Sequence, residues 1–308
     1  MKPHKPIRKF LEKNKVLLLM MLPGFLYLIL NNYIPMFGVI IAFKNINYAQ
    51  GILGSDWVGF KNFEFLFNTN DAYIIIRNTL LYNSGFIIIN LIFSVGLAVL
   101  LNELRNKLAA RFYQSVVLLP HLFSAVILGY LVFAFLSADY GYLNHKVLPW
   151  LGLEPMNWYN EAKAWPYILM IVNTWKSAGY LSIIYLAAII GLDKEYYEAA
   201  LIDGANKWKQ FSRITLPLIA PVIITMTLMQ VGRIFFSDFG LFYQVPMNSG
   251  SLLQTTNVID TYVYRALINM GDLGMSSAAG LFQSIVGFVL ILSVNLIVRK
   301  VSKENALF

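Results

Sequence analysis

Apolar runs recur along the chain, each close to the roughly 20 residues that an α-helix needs to cross a bilayer. They lie near 16–35, 79–101, 113–136, 165–192, 214–236 and 278–298. The pattern predicts an all-α polytopic membrane protein with six transmembrane helices. The segments between the runs differ in character. Those at 36–78, 137–164 and 237–277 are long, aromatic and punctuated by turn formers such as Gly51, Gly59, Pro149, Gly152, Pro246 and Gly250. Those at 102–112 and 193–213 are short, polar and charged. The first run follows a basic stretch, as a secretory leader would, but it continues past Pro23 to Ile34 without a small-x-small cleavage site. It is therefore expected to stay as the first span, behind an N-terminal tail at 1–15.

Charge orients these spans. The tail carries Lys2, Lys5, Arg8, Lys9, Lys13 and Lys15; loop 102–112 carries Arg105, Lys107 and Arg111; loop 193–213 carries Lys194, Lys207, Lys209 and Arg213; the C-terminus carries Arg299, Lys300 and Lys303. These sixteen of the 24 Lys and Arg fall on one side, and only six fall in the opposite segments. Cytoplasmic loops hold the excess of basic residues, so both termini and loop 193–213 are expected in the cytoplasm. Composition agrees with lipid as solvent: 58% of residues are hydrophobic and 13% charged, against about 25% charged in soluble domains. Without cysteine there is neither a disulfide framework nor a thiol-ligated metal. Three scattered histidines offer no metal cluster, so no metal or other cofactor is expected. Basic segments next to the membrane favour anionic lipid over nucleic acid as a partner. No internal repeat or low-complexity tract divides the chain, and 1–308 reads as a single membrane domain. Trp57, Trp150, Trp158 and Trp165 fall near expected interfaces, where indole rings anchor. Ser276, Gly280 and Ser284 form a small-residue stripe suited to close packing with another span.

Loop 193–213 has its own design. Asp193 is a candidate cap for a short helix beginning Glu195-Tyr196-Tyr197-Glu198-Ala199-Ala200, with acids at its positive end. Gly204 allows a chain reversal through positive φ. A basic helix from Lys207 to Arg213 then leads through Ile214-Thr215-Leu216-Pro217 into the fifth apolar run. By spacing alone this is either a plain helical hairpin or a docking knob for a cytoplasmic partner, with the alanine pair keeping one face low.

The order Glu-Ala-Ala, glycine four residues on, then Ile-x-Leu-Pro resembles the EAA motif in the membrane subunits of binding-protein-dependent ATP-binding-cassette (ABC) importers. The resemblance implies that Glu198, Ala199, Ala200 and Gly204, with Ile214, Leu216 and Pro217, couple the spans to an ATPase subunit, the short helix being the coupling helix between spans 4 and 5. Residues 34–67, with Pro35-x-x-Gly38, Ala42-Phe43-Lys44, Gly51-Ile-x-Gly-Ser55 and Trp57-Val-Gly-x-x-Asn62-Phe63, narrow it further. With Asn173-Thr-Trp-Lys176 and Ile183-Ile-Tyr-Leu-Ala-Ala188 they resemble carbohydrate-importer permeases of the polysaccharide and complex-oligosaccharide type, the LplB-like group. Membership implies a bacterial inner (cytoplasmic) membrane location and half of a translocation pathway for a sugar or oligosaccharide, worked by alternating access. It also implies three partners: a second, non-identical six-span permease, a cytoplasmic ABC ATPase dimer, and an extracytoplasmic solute-binding protein.

Lys176 falls near the middle of the fourth run, where a lysine facing lipid costs about 2.5–3.5 kcal/mol. No span contains a carboxylate, so an ion pair between spans is not expected. Its expected partners are backbone carbonyls, water, the partner permease or the cargo; with Trp175 and Tyr180 it forms a candidate substrate-pathway cluster of a cation beside aromatic faces. Arg233, at the outer end of the fifth run, is expected to reach Asp238, and His121 to be structural. No Gly-x-x-x-x-Gly-Lys-Ser/Thr loop, His-Glu-x-x-His or Gly-x-Ser-x-Gly occurs, so the chain is not expected to be an enzyme. The alternative to an importer permease is an ion-coupled secondary transporter, which would show repeats, broken helices and intramembrane carboxylates; none is legible.

Overall fold

The computed structural model describes residues 13–301. Its elements are helical apart from one two-stranded hairpin. Four helices are long and apolar enough to cross a membrane, and six spans result if each of two bent pairs counts as one. The tail residues Lys2, Lys5, Arg8, Lys9 and Lys303 counted above lie outside the described residues.

The chain forms two compact units, one comprising residues up to Phe65 with Ala266–Leu281, the other Leu66–Arg265 with the chain from Phe282 onward. In the first, α1 (Lys15–Phe43) is apolar on all sides and buries almost nothing within the chain, as expected of a lipid- or partner-facing span. It runs eight residues beyond the expected end at 35. After it, β1 (Lys44–Asn45) pairs antiparallel with β2 (Asp56–Trp57), Lys44 opposite Trp57. The residues that carry the 34–67 resemblance are occupied by each other. Phe43, Phe60 and Phe63 form a ring cluster with centroids 5.5–5.7 Å apart. Lys44 is buried and donates to the carbonyls of Ile52 and Leu53 at 2.9 and 2.8 Å. Asn62 donates to the carbonyls of Ala42 and Lys44.

The second unit is built on α2 (Asn70–Asn102) and α5 (Trp165–Ile190), packed along each other. Tyr82 and Phe86 share one core with Trp165 and Leu169; further along, Val95, Ala98 and Leu101 share another with Tyr185, Leu186 and Ile189. The two helices therefore run in the same direction. Midway, the Asn90 amide donates to Asn173 Oδ1 at 2.9 Å. Trp165 is wholly buried rather than interfacial and donates to the Trp158 carbonyl, whereas Trp57 and Trp150 are exposed.

The third apolar run is not one helix. It divides into α3 (Lys107–Leu118) and α4 (Ala125–Leu136), bent by 98°. Pro120 has no N–H to continue the helix, and Ser124 starts a new one by accepting the Ile127 N–H at 3.3 Å. A broken helix is thus present, contrary to the reading of the sequence. The end of α3 packs onto α5 at Gly179, where any Cβ would overlap the Val117 carbonyl. Beyond α5 come α6 (Glu195–Ile202) and the continuous α7 (Lys207–Val231), which begins seven residues before the expected 214 and ends five before 236. α8 (Phe239–Gln244) then packs on α4, and α9 (Ile259–Arg265) and α10 (Leu273–Val301) complete the chain. On α10 a Cβ at Gly274 would lie 2.6 Å from the Asn62 amide nitrogen and one at Gly287 2.7 Å from the Gly232 carbonyl, whereas one on Gly280 would meet no atom within 4 Å.

Candidate functional site

Two arrangements bear on function. The first is the polar island, folded as read. The Asp193 carboxylate accepts the Glu195 N–H at 3.0 Å, opening α6. Its other end is a full left-handed cap: Ala205 N–H bonds the Ala200 carbonyl at 2.8 Å, Gly204 N–H bonds Leu201, and Gly204 sits at φ 73°. Asn206 then caps α7 by accepting the Lys209 N–H at 2.9 Å. Two side-chain contacts pin the knob: Tyr197 to Thr215 at 2.8 Å, and Lys207 to Glu103 at the end of α2 at 2.9 Å. Glu198 and Ala199 are exposed and Ala200 half-buried. Around them Leu201, Ile202 and Trp208 are 61%, 88% and 71% exposed, an apolar surface without a partner in this chain. Ile214, Leu216 and Pro217 do not join this surface. They lie within α7, where the wider turn Phe211–Thr215 accommodates the proline, its missing N–H and its ring, without breaking the helix.

The second arrangement is a cavity of about 480 Å³ between α2, α5, α7 and the turn that follows α7. Its polar lining comes from Asn83 and Asn90 on α2, Asn173, Ser177 and Tyr180 on α5, Gln230 on α7, and Arg233, Ser237 and Asp238 beyond it. His121 adds a ring stacked on Tyr180, centroids 4.5 Å apart and planes 9° off parallel; it is exposed and lines the cavity. Asn90 Oδ1 is buried and lacks a hydrogen-bond partner among the described residues.

The predicted trio is divided. Tyr180 lines the cavity, Lys176 one turn before it on α5 pairs with the cavity-lining Asp238, and Trp175 lines an apolar groove of about 500 Å³ with Phe93, Leu97 and Val116. Lys176 is not unpaired. Its ammonium meets Asp238 Oδ2 at 2.5 Å, a side chain only 16% exposed against one 38% exposed. The ion pair was not foreseen because Asp238 is not in a span: α7 ends at Val231, and the chain folds back to deliver a loop carboxylate to α5. Asp238 Oδ1 also accepts the Leu241 N–H at 3.1 Å, capping α8. The expected Arg233–Asp238 pair does not form.

The returning turn is held from several sides. Asn83 donates to the Ile234 carbonyl at 2.8 Å and to Ser237. Asp260 accepts the Ser237 N–H at 2.7 Å, and Gln283 donates to the Phe235 carbonyl at 2.6 Å. Burial pushes the Asp260 carboxyl above its ordinary range, opposed by the hydrogen bonds it accepts from Ser237 N–H and the Gln283 amide and by the charge of Arg233. The guanidinium of Arg233 itself makes no hydrogen bond or ion pair among the described residues, and the side chain is exposed. The asparagines carried a sequence signal that went unread: Asn83 and Asn90 are seven residues apart, two turns along one face of an apolar helix.

Relatives give these features a setting. Residues 90–303 match the model of the family described as binding-protein-dependent transport system inner membrane component. Over 96% of the chain, it is 36% identical to the polygalacturonan/rhamnogalacturonan transport system permease protein YteP of Bacillus subtilis (strain 168), covering 91% of that protein. Identity to protein LplB of the same organism is 35%, covering 96% of this chain and 92% of the relative. Among solved structures, a chain of a bacterial ABC transporter involved in the import of the acidic polysaccharide alginate superposes with a TM-score of 0.88 at 31% identity, covering 97% of this chain and all of that one. A second structure, of a bacterial alginate ABC transporter in complex with alginate pentasaccharide-bound periplasmic protein, gives 0.86 at 32%, covering 96% and 98%. The chain belongs to the binding-protein-dependent transport system inner membrane components, the non-catalytic, multi-pass permease subunits of ABC importers.

Proposed function

We propose that this chain forms one half of the inner-membrane pathway for an acidic oligosaccharide, with six spans and both termini in the cytoplasm. A second, non-identical permease supplies the other half, two copies of a cytoplasmic ATPase drive the cycle, and a periplasmic binding protein delivers the cargo. The observation that carries the energy-coupling part is α6: Glu198 and Ala199 exposed, Leu201 and Ile202 apolar yet uncovered, and a rigid glycine cap behind them. An exposed apolar patch of this kind with a charged rim marks a protein-docking surface. The cargo class is supported by the cavity. Amide side chains and a stacked His121–Tyr180 pair suit saccharide hydroxyls and ring faces; of the similar proteins, one is named for polygalacturonan and rhamnogalacturonan and another for the acidic polysaccharide alginate.

The cycle requires a large bias. Moving an inward-open population from 1:99 to 99:1 takes about 5.5 kcal/mol of differential binding, part of it delivered through the knob. Incorporated into vesicles with its partner permease, ATPase and binding protein, the chain is expected to accumulate an oligogalacturonide only with ATP and the binding protein. Glu198→Ala is expected to lower uptake per ATP hydrolysed severalfold. Uptake that needs no ATPase, or normal coupling in Glu198→Ala, would refute the reading.

A further inference from the structure

Two cations lie at the cavity, Lys176 on α5 beside it and Arg233 on the turn that closes it, and they are in different states. Lys176 is neutralised by Asp238 at 2.5 Å. Arg233 is three residues beyond Gln230 and, with it, lines the same cavity, but its five N–H donors are unused among the described residues. The charge of Arg233 acts on Asp260. That carboxylate is committed to the Ser237 N–H and faces Gln283, so it tempers the field of Arg233 without occupying its fork. Among the other polar groups on the wall, Asn83, Asn90, Asn173, Ser177 and Gln230 are uncharged, and the carboxylate of Asp238 is paired with Lys176. The same wall offers a buried, unpartnered acceptor in Asn90 Oδ1, suited to a sugar hydroxyl, and an aromatic face at Tyr180.

We infer that Arg233 is the specificity residue of the pathway, its guanidinium gripping a uronate carboxylate of the cargo while the asparagines and Tyr180 hold the neutral parts of the sugar. The inference rests on the saccharide reading above and names the side chain that distinguishes acidic from neutral cargo. A planar guanidinium matches a carboxylate through two parallel hydrogen bonds, which an ammonium cannot reproduce. Lys176 plays no equivalent part, because binding a cargo carboxylate there would require displacing Asp238, which also caps α8.

The test uses the complete importer in vesicles and two probes of equal length, an oligogalacturonide and its carboxyl-reduced, neutral counterpart. Comparing the ratio of their uptake efficiencies between variants cancels the preference of the binding protein. Arg233→Gln is expected to lower the acidic-to-neutral ratio about tenfold, mainly through KM, the loss of one charge-assisted contact. Arg233→Lys should fall between Gln and wild type, and Arg233→Gln combined with Gln230→Arg should regain part of the ratio by returning a cation to the same wall. If Arg233→Gln fails to assemble, the Lys variant alone decides, since a ratio equal to wild type with charge kept but fork lost overturns the inference. An unchanged ratio in Arg233→Gln also overturns it. A wild-type importer with no preference for the acidic probe would instead overturn the acidic-cargo reading, a separate outcome.

Discussion

At the scale of single residues, the ion pair between Lys176 and Asp238 illustrates how a membrane protein accommodates a charge. A lysine in mid-helix must find an anion, and the carboxylate here arrives from a turn held by Asn83, Asp260 and Gln283. The two partners are unequally buried, at 16% and 38% exposure, and this asymmetry predicts an ordered set of variants. Asp238→Asn leaves the less exposed ammonium uncompensated and is expected to cost about 1–3 kcal/mol. Lys176→Met leaves a carboxylate that water can reach and that still caps α8, so its cost should be smaller, about 1 kcal/mol or less. The double variant should be more stable than Asp238→Asn alone. Thermal unfolding of the purified complex in detergent measures all three, and strictly additive losses would show that the pair contributes nothing. Lys176 was legible as an anomaly in the sequence; its partner was not, because a carboxylate outside every span becomes a neighbour only once the chain folds back.

At the scale of elements, the knob was readable in advance and the third span was not, for physical reasons. Capping is local: Asp193, Gly204 and Asn206 each act within a few residues of themselves, so their roles follow from spacing. The break at Pro120 is also local, but proline is tolerated within α7 at Pro217 and Pro221, and only the packing of α3 on Gly179 and of α4 on α8 decides that one proline bends and the others do not. Gly204 allows a sharp test of the capping argument. A Cβ there would meet no atom within 4 Å, so any penalty comes from φ 73° and not from crowding. Left-handed backbone costs an ordinary residue about 1–2 kcal/mol, less for asparagine and more for a β-branched side chain. Gly204→Asn should therefore retain uptake within about twofold, whereas Gly204→Val should splay α6 from α7 and reduce ATP-driven uptake about tenfold or more. Equal behaviour of the two variants would remove the cap from the coupling argument.

For the whole molecule, the proposed topology follows from the distribution of charge and not from any single helix. The membrane potential and the anionic inner leaflet favour basic loops inside, and the short connections at 102–112 and 193–213 satisfy that rule together. The natural absence of cysteine allows a direct check without first removing reactive thiols. Single cysteines placed at Leu53 and Glu154, both exposed, are expected to react with a membrane-impermeant maleimide in intact spheroplasts. Cysteines at Arg105 and Ile202, also exposed, should react only after the membrane is permeabilised. Ile202 carries further information, because it lies on the surface proposed to dock the ATPase: in permeabilised cells its labelling should fall severalfold when the ATPase is co-expressed, while that of Arg105 should change little unless the docked ATPase reaches over loop 102–112. Labelling of Ile202 from outside would invert the topology and remove the ATPase from reach of α6. Labelling from inside that is indifferent to the ATPase would keep the topology and place the docking contact elsewhere on the cytoplasmic face.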